Sequence, residues 1–179
     1  MSVELLRMTD GEDATFEDLA MPLFASLYRY ARSLADDPAE AEDLVQETYL
    51  KGLRGFGSFA QGTNFRAWMF RILRNTFLTS RSGLRAVPPL SLDDESVEVH
   101  VIDPVTPEAI LMQRLNRDSL RRAIDRLPLA FREVLLLCDV ENMSYKEIAE
   151  TLSIPIGTVT SRLIRARQKV RDLIVSEGS

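Results

Sequence analysis

Apolar residues return at helical spacing from early in the chain. Between Phe16 and Leu34, Leu19, Leu23, Leu27, Tyr30, Ala31 and Leu34 recur every three or four positions, which predicts one amphipathic helix over that stretch. Asp36-Asp37-Pro38 ends the run and starts the next, because Asp37 is a favoured N-cap and Pro38 suits a first turn where no N–H is needed. The second helix reads to about Leu53, where Gly52, Gly55 and Gly57 break the pattern. A loop from Gly55 to Thr63 leads into a third helix over about residues 65–80, with Met69, Phe70, Leu73 and Phe77 on its core side.

From Gly83 to Pro107 the period disappears. Pro88, Pro89, Pro104 and Pro107, with the acids Asp93, Asp94, Glu95 and Glu98, predict an extended acidic linker. Fully stretched, its 25 residues span at most about 80–90 Å. Four more helical patterns follow, over residues 108–126, 130 to about 140, 145–152 and 156 to about 175. Pro128 separates the first two and Ser153-Ile154-Pro155 the last two. With no strand alternation and no internal repeat, the expectation is an all-α fold: two small helical domains, 14–82 and 108–177, joined by the linker 83–107.

Composition narrows the chemistry. At 179 residues, 45% hydrophobic and 27% charged, the chain is ordinary globular material. The single cysteine, Cys138, makes no internal disulfide, and no Cys/His set has zinc spacing; a reducing cytoplasm is expected. No apolar run approaches the roughly 20 residues of a membrane helix, and the start carries no signal pattern, so a soluble, non-exported protein is expected. Net charge is -5, yet the basic residues are segregated. No acid occurs from Lys51 to Leu92, a stretch holding Arg54, Arg66, Arg71, Arg74, Arg81 and Arg85. A second acid-free run, Ile154 to Arg171, carries Arg162, Arg165, Arg167, Lys169 and Arg171.

A short helix, a tight turn and a longer helix over residues 145–175 have helix-turn-helix proportions. Ile148, Ala149 and Leu152 are expected to face Ile156, Val159 and Leu163, leaving Thr158, Ser161, Arg162, Arg165 and Lys169 on the free face with Thr160 at its edge. Hydroxyls and guanidinium groups near a helix N-terminus suit phosphate contact and major-groove reading; a solvated bundle face would share the composition. The acid-free run and the short helix ahead of it favour DNA. The stretches Leu127-Pro128-Leu129-Ala130-Phe131-Arg132-Glu133-Val134, Tyr145-Lys146-Glu147-Ile148-Ala149-Glu150 and residues 154–167 resemble region 4 of the extracytoplasmic-function (ECF) sigma factors. That resemblance implies contact of the six free-face residues with the -35 promoter element and of the module with the polymerase flap. Two departures are Ser153, at a turn position often glycine, and Thr160, at one often basic. LuxR-type regulators share this helical half loosely, but they need an α/β domain ahead of it, and the first half here lacks strand alternation.

On the helix 39–53, Ala41, Leu44, Val45 and Thr48 form the inward side, while Asp43, Glu47, Leu50 and Arg54 point outward with Gln46 beside them. A leucine among charges suits a protein contact, though an ordinary solvated face with a stray leucine fits the pattern too. Asp37-Pro38-Ala39-Glu40-Ala41-Glu42-Asp43-Leu44-Val45-Gln46-Glu47-Thr48-Tyr49 is similar to sigma region 2.2, which docks on the clamp helices of the largest polymerase subunit. Asp43, Gln46 and Glu47 are thereby implicated in core polymerase binding, and Leu50, the exposed leucine of the same face, is expected to join them.

The next helix gathers Trp68, Arg71, Asn75 and Thr79 on one face with Arg74 flanking, a composition suited to unpaired or distorted DNA. Trp68 fits a core boundary equally well. Residues 64–77 resemble sigma regions 2.3 and 2.4, which open the -10 element and hold its unpaired strand. The resemblance adds Asn64, Arg66 and the loop 58–64 with Phe59, which in that family forms a pocket for a flipped base. Gly57 and Gly62 permit close backbone approach there or simply punctuate the loop.

The resemblance covers about residues 16–173 and implies an ECF sigma factor that binds core RNA polymerase, directs promoter recognition, DNA melting and transcription initiation, and is held by an anti-sigma factor. No cofactor, metal or catalytic residue is expected. His100 stands alone in the linker, and Cys138, beside Leu135, Leu136 and Leu137, reads as a buried structural residue.

Overall fold

A computed structural model of the chain describes residues 14–60, 62–82 and 117–177, and every regular element among them is helical. The expected linker 83–107 and the first residues of the second domain, 108–116, lie outside the described residues. The chain divides after Phe77 into two compact units.

In the first unit, the single helix expected over residues 16–34 is broken. Helix α1 is Phe16–Ala20, a 3-10 turn follows over Met21–Leu23, and α2 is Phe24–Leu34. Pro22 supplies no N–H and its ring crowds the preceding turn, so the chain tightens there and the Phe24 N–H bonds to the Met21 carbonyl. The Tyr49 hydroxyl donates to the Ala20 carbonyl at 2.6 Å, tying the broken helix to α3, Pro38–Gly55. Thr15 and Asp18 form a capping box on α1, and the two hydrogen bonds from Thr15 hold the Asp18 carboxyl below its ordinary range. Helix α3 starts as expected, with the Asp37 carboxylate accepting from the Glu40 N–H at 2.9 Å, and runs two residues past the expected end.

Ala41, Leu44, Val45, Thr48 and Gly52 make its buried face. Opposite them lie Leu27, Tyr30, Ala31 and Leu34 of α2 and Ala67, Met69, Phe70, Leu73 and Phe77 of α4, Phe65–Ser82. The Tyr30 and Phe70 rings pack at 5.4 Å between centroids. Lys51 bonds to the Thr76 hydroxyl at 3.2 Å, a polar tie between α3 and α4. At Gly52 the packing is closest: a Cβ there would sit 2.9 Å from the Met69 sulfur and 3.1 Å from the Phe16 ring.

The second unit contains α5, Arg117–Asp125, α6, Leu129–Leu135, α7, Tyr145–Leu152, and α8, Ile156–Glu177. The helix expected over residues 130–140 changes form at Leu136: the segment Leu136–Val140 is a π turn, closed by the Glu141 N–H on the Leu136 carbonyl at 2.9 Å. Arg132 caps the end of α5 through the carbonyls of Asp125 and Leu127. Helix α8 buries Val159, Leu163, Ala166, Val170 and Ile174, the i, i+4, i+7 row that packs on α5, α6 and α7. Ile148 and Leu152 meet this row as expected. Ile156 does not join it: it is 51% exposed, because it opens the helix at the end of the packed row.

Ser144 and Glu147 form a capping box on α7, and Ser153 ends that helix in the left-handed region, φ 55° and ψ 46°. The turn therefore has a glycine-like backbone built with serine. No helix among the described residues is long and apolar enough to cross a membrane.

Two outcomes follow for stability, both read from urea unfolding of the full chain monitored by helical circular dichroism. Gly52→Val forces its branched side chain against Met69 and Phe16 and lowers the unfolding free energy by about 1–3 kcal/mol. Ser153→Gly relieves the left-handed strain of about 1–2 kcal/mol at an entropic cost of about half that, for a net gain of about 0.5–1 kcal/mol.

Candidate functional site

Once the core is built, three surfaces are left over. The first lies on the outward side of α3. Asp43, Gln46, Leu50 and Arg54 are exposed; Glu47 is half-buried and paired with Lys51 at 3.6 Å, so part of its charge is shared within the helix. Leu50, 47% exposed, shares a groove with Leu53 at 57% and, from the broken first helix, Met21 at 62%, while Phe24, 50% exposed, packs on Tyr49 of that groove at 6.2 Å. Phe16, Ala20, Met21, Tyr49, Leu50 and Leu53 line a groove of about 450 Å³ whose polar margin is Glu17 and Gln46. The bonded Tyr49 hydroxyl fixes one wall, and burial pushes its pKa up. Helical spacing alone runs one helix through Pro22 and so misses Met21 and Phe24, although Pro22 itself signals the break. Leu53 follows Leu50 by three positions and was readable by spacing.

The second surface is α4 with the loop before it. Arg71, Asn75 and Thr79 are exposed and in line by helical spacing, with Arg74 and Arg66 half-buried beside them. The Arg66 guanidinium lies 5.7 Å from the centre of the Phe70 ring, a cation–π distance. The Asn64 side-chain oxygen accepts from the Ala67 N–H at 3.0 Å and so caps α4. Trp68 and Phe59 belong to one aromatic cluster. Their ring centroids are 5.0 Å apart, Phe65 lies 5.5 and 5.3 Å from them, and Phe56 stacks on Phe59 at 6.2 Å. Trp68 is thus a boundary residue, half-buried, with Phe59 holding the loop against it. Gly62 has φ +88°, so glycine there is demanded by the backbone, whereas Gly57 has open space and no such constraint.

The third surface is α8. Ser161 and Lys169 are exposed; Thr158, Thr160, Arg162 and Arg165 are half-buried. The Ser161 hydroxyl donates to the Thr158 carbonyl at 3.1 Å and the Thr160 hydroxyl to the Ile156 carbonyl at 3.2 Å, which leaves their oxygen lone pairs for an outside donor. Arg167 is drawn off the basic run: its Nη2 and Nε donate to the two Asp139 carboxylate oxygens at 2.6 and 3.2 Å. This bond, above all, holds the guanidinium well above its ordinary pKa. Cys138 beside it is half-buried, and burial raises its thiol pKa. Among the described residues no group of His, Cys, Asp or Glu side chains is placed to hold a metal.

The family model for Sigma-70 region 2 matches residues 22–86 and that for Sigma-70, region 4 matches residues 117–170. ECF RNA polymerase sigma factor SigE of Mycolicibacterium smegmatis is 36% identical over 175 residues, 93% of this chain and 67% of that protein. ECF RNA polymerase sigma factor EcfG of Rhodopseudomonas palustris is 34% identical over 155 residues, 86% of this chain and 82% of that protein. Among solved structures, the sigma factor RpoE in complex with the anti-sigma factor NepR from Bartonella quintana matches with a TM-score of 0.67 and 31% identity, covering 88% of this chain and 97% of that one. CnrH in complex with the cytosolic domain of CnrY shares the fold at a TM-score of 0.64 and 24% identity, over 90% of this chain and 88% of that one. With both sigma-70 regions matched in order and relatives of this kind along nearly its whole length, the chain belongs to the ECF family of RNA polymerase sigma factors.

Proposed function

We propose that the chain docks on the clamp helices of core RNA polymerase through the outward face of α3 and carries the enzyme to promoters. There the α4 face holds the melted -10 strand, and α8 reads the -35 duplex while its module rests on the flap. The observation that carries the reading is the apolar patch of Met21, Phe24, Leu50 and Leu53 beside Asp43 and Gln46. Its leucines lie opposite the buried side of α3, and the patch combines an apolar centre with a polar rim as protein-docking sites do. Asp43 and Gln46 supply that rim directly; Glu47 joins it by loosening its tie to Lys51.

Arg71, Arg74, Asn75 and Thr79 form the strand-binding face, with Arg66 at its edge. The aromatic cluster of Phe59 and Trp68, with Asn64 capping the helix, shapes the loop that receives a flipped base. On α8, Thr158, Ser161, Arg162, Arg165 and Lys169 meet the duplex, with Thr160 on the flank. Residues 14–82 and 108–177 are the two functional domains, and 83–107 is the tether between them. The protein works in the cytoplasm by binding, without a cofactor or catalytic group. RpoE and CnrH are described in complex with NepR and with CnrY; an anti-sigma factor of that kind holds this chain by covering the polymerase-docking face.

Leu50→Glu and Leu53→Glu place a carboxylate in the centre of the docking patch. Each weakens binding to core polymerase by about 30-fold, the scale of a hot-spot residue, in a titration with labelled protein. Because both side chains are exposed, the unfolding free energy stays within about 0.5 kcal/mol of wild type. For α8, promoter selection with an Arg165→Ala holoenzyme relaxes discrimination at one -35 base pair by roughly 5- to 100-fold, against an even loss across sequences if the contact is to phosphate.

A further inference from the structure

Arg167 lies in the acid-free run of α8, one position after Ala166 of the buried row, and therefore on the flank between core and outward face. Its partner, Asp139, is 28 positions away on the π turn that follows α6. A π turn takes in about one residue more than an α-helical turn, so it re-aims the side chains it carries. Here it presents Asp139 to the flank of α8, where two parallel hydrogen bonds of 2.6 and 3.2 Å engage the guanidinium fork. The Cys138 sulfur lies 3.8 Å from the same Nη2.

The buried row of α8 in this region, Val159, Leu163, Ala166 and Val170, is apolar. Apolar burial is non-directional, whereas a bidentate ion pair adds a contact of fixed direction. A roll of about 10° moves an atom 5–6 Å from the axis by about 1 Å, enough to misalign a two-point base contact.

We infer that Arg167 reads no DNA: clamped by Asp139, it is a positioning residue that fixes the roll of α8 and hence the alignment of Thr158, Ser161 and Arg165 with the duplex. The same clamp withholds one positive charge of the basic run from the phosphates. The inference rests on α8 being the DNA-reading helix, and its test keeps the two apart. Holoenzyme reconstituted with each variant is titrated against the cognate promoter and against one with a scrambled -35 element, over a range of salt.

Arg167→Gln and Asp139→Asn each lower the cognate-to-scrambled affinity ratio by about two- to fivefold, as the loss of one half-exposed pair permits. The double variant loses no more than either single one, because the two groups act as a unit. The slope of log affinity against log salt stays at the wild-type value for all three. A slope flattened by about one in Arg167→Gln means a phosphate contact and overturns the inference. An unchanged ratio, even with a lowered melting temperature, leaves the pair purely structural and overturns it too. Arg165→Ala is the control. If it alters ratio or slope while the pair variants alter neither, only the positioning role fails; if it also alters nothing, the DNA-reading role of α8 fails and this inference with it.

Discussion

Close approach at the inner face of α3 is the constraint on which the first unit depends. Ala41, Val45, Thr48 and Gly52 are small or compact, and Gly52 lets the Met69 side chain and the Phe16 ring reach the helix backbone. With α1, α2 and α4 satisfied on that one side, no further element among the described residues buries the other face of α3. Leu50 and Leu53 are therefore left exposed by the geometry of packing, next to the polar residues that rim them. The Pro22 break completes the surface. At the 3-10 turn Met21 lines the groove with Leu50, Phe24 packs on Tyr49, and the Tyr49 hydroxyl secures the carbonyl at the junction.

Aromatic packing serves two ends in the same unit. Phe16, Phe56, Phe59, Phe65 and Trp68 form a run of edge-to-face, tilted and stacked pairs that anchors the loop after α3 to the start of α4. The rings contributed to stability in this way are also the ones nearest the proposed base pocket. A pocket for a flat base is well made from side chains already held by their neighbours, since less freedom is lost on binding. Asn64 has the same double character: its side chain caps α4 at the end where the proposed strand-binding face begins.

In the second unit the outward face of α8 is likewise what the core leaves over. The buried row of α8 needs only apolar contact, and the turn before it is made compact by Ser153 in a left-handed conformation and by Pro155, whose carbonyl receives the first helical N–H groups. The Arg167–Asp139 pair, delivered by the π turn, adds a directional contact to that row.

The two faces of α3 were legible in the residue order, because helical period is local: Ala41, Leu44, Val45 and Thr48 are buried as the spacing requires, and Asp37, Pro38 and Ser153 mark boundaries by their own backbone chemistry. The matched motifs of both halves were legible for the same reason, being short and contiguous. What the spacing left unsettled was decided in three dimensions. Trp68 fitted a stacking face and a core boundary equally well until Phe59 and Phe65 closed over it. Met21 and Phe24 joined Leu50 and Leu53 only through the contact of a broken helix with α3, 29 positions apart at the Tyr49–Ala20 bond. Arg167 looked like every other cation of an acid-free run, and its acid lay 28 positions away on a turn whose π form no periodicity announces. Local order sets which face a helix offers; which distant residue meets that face depends on packing, and packing is a property of the whole folded unit.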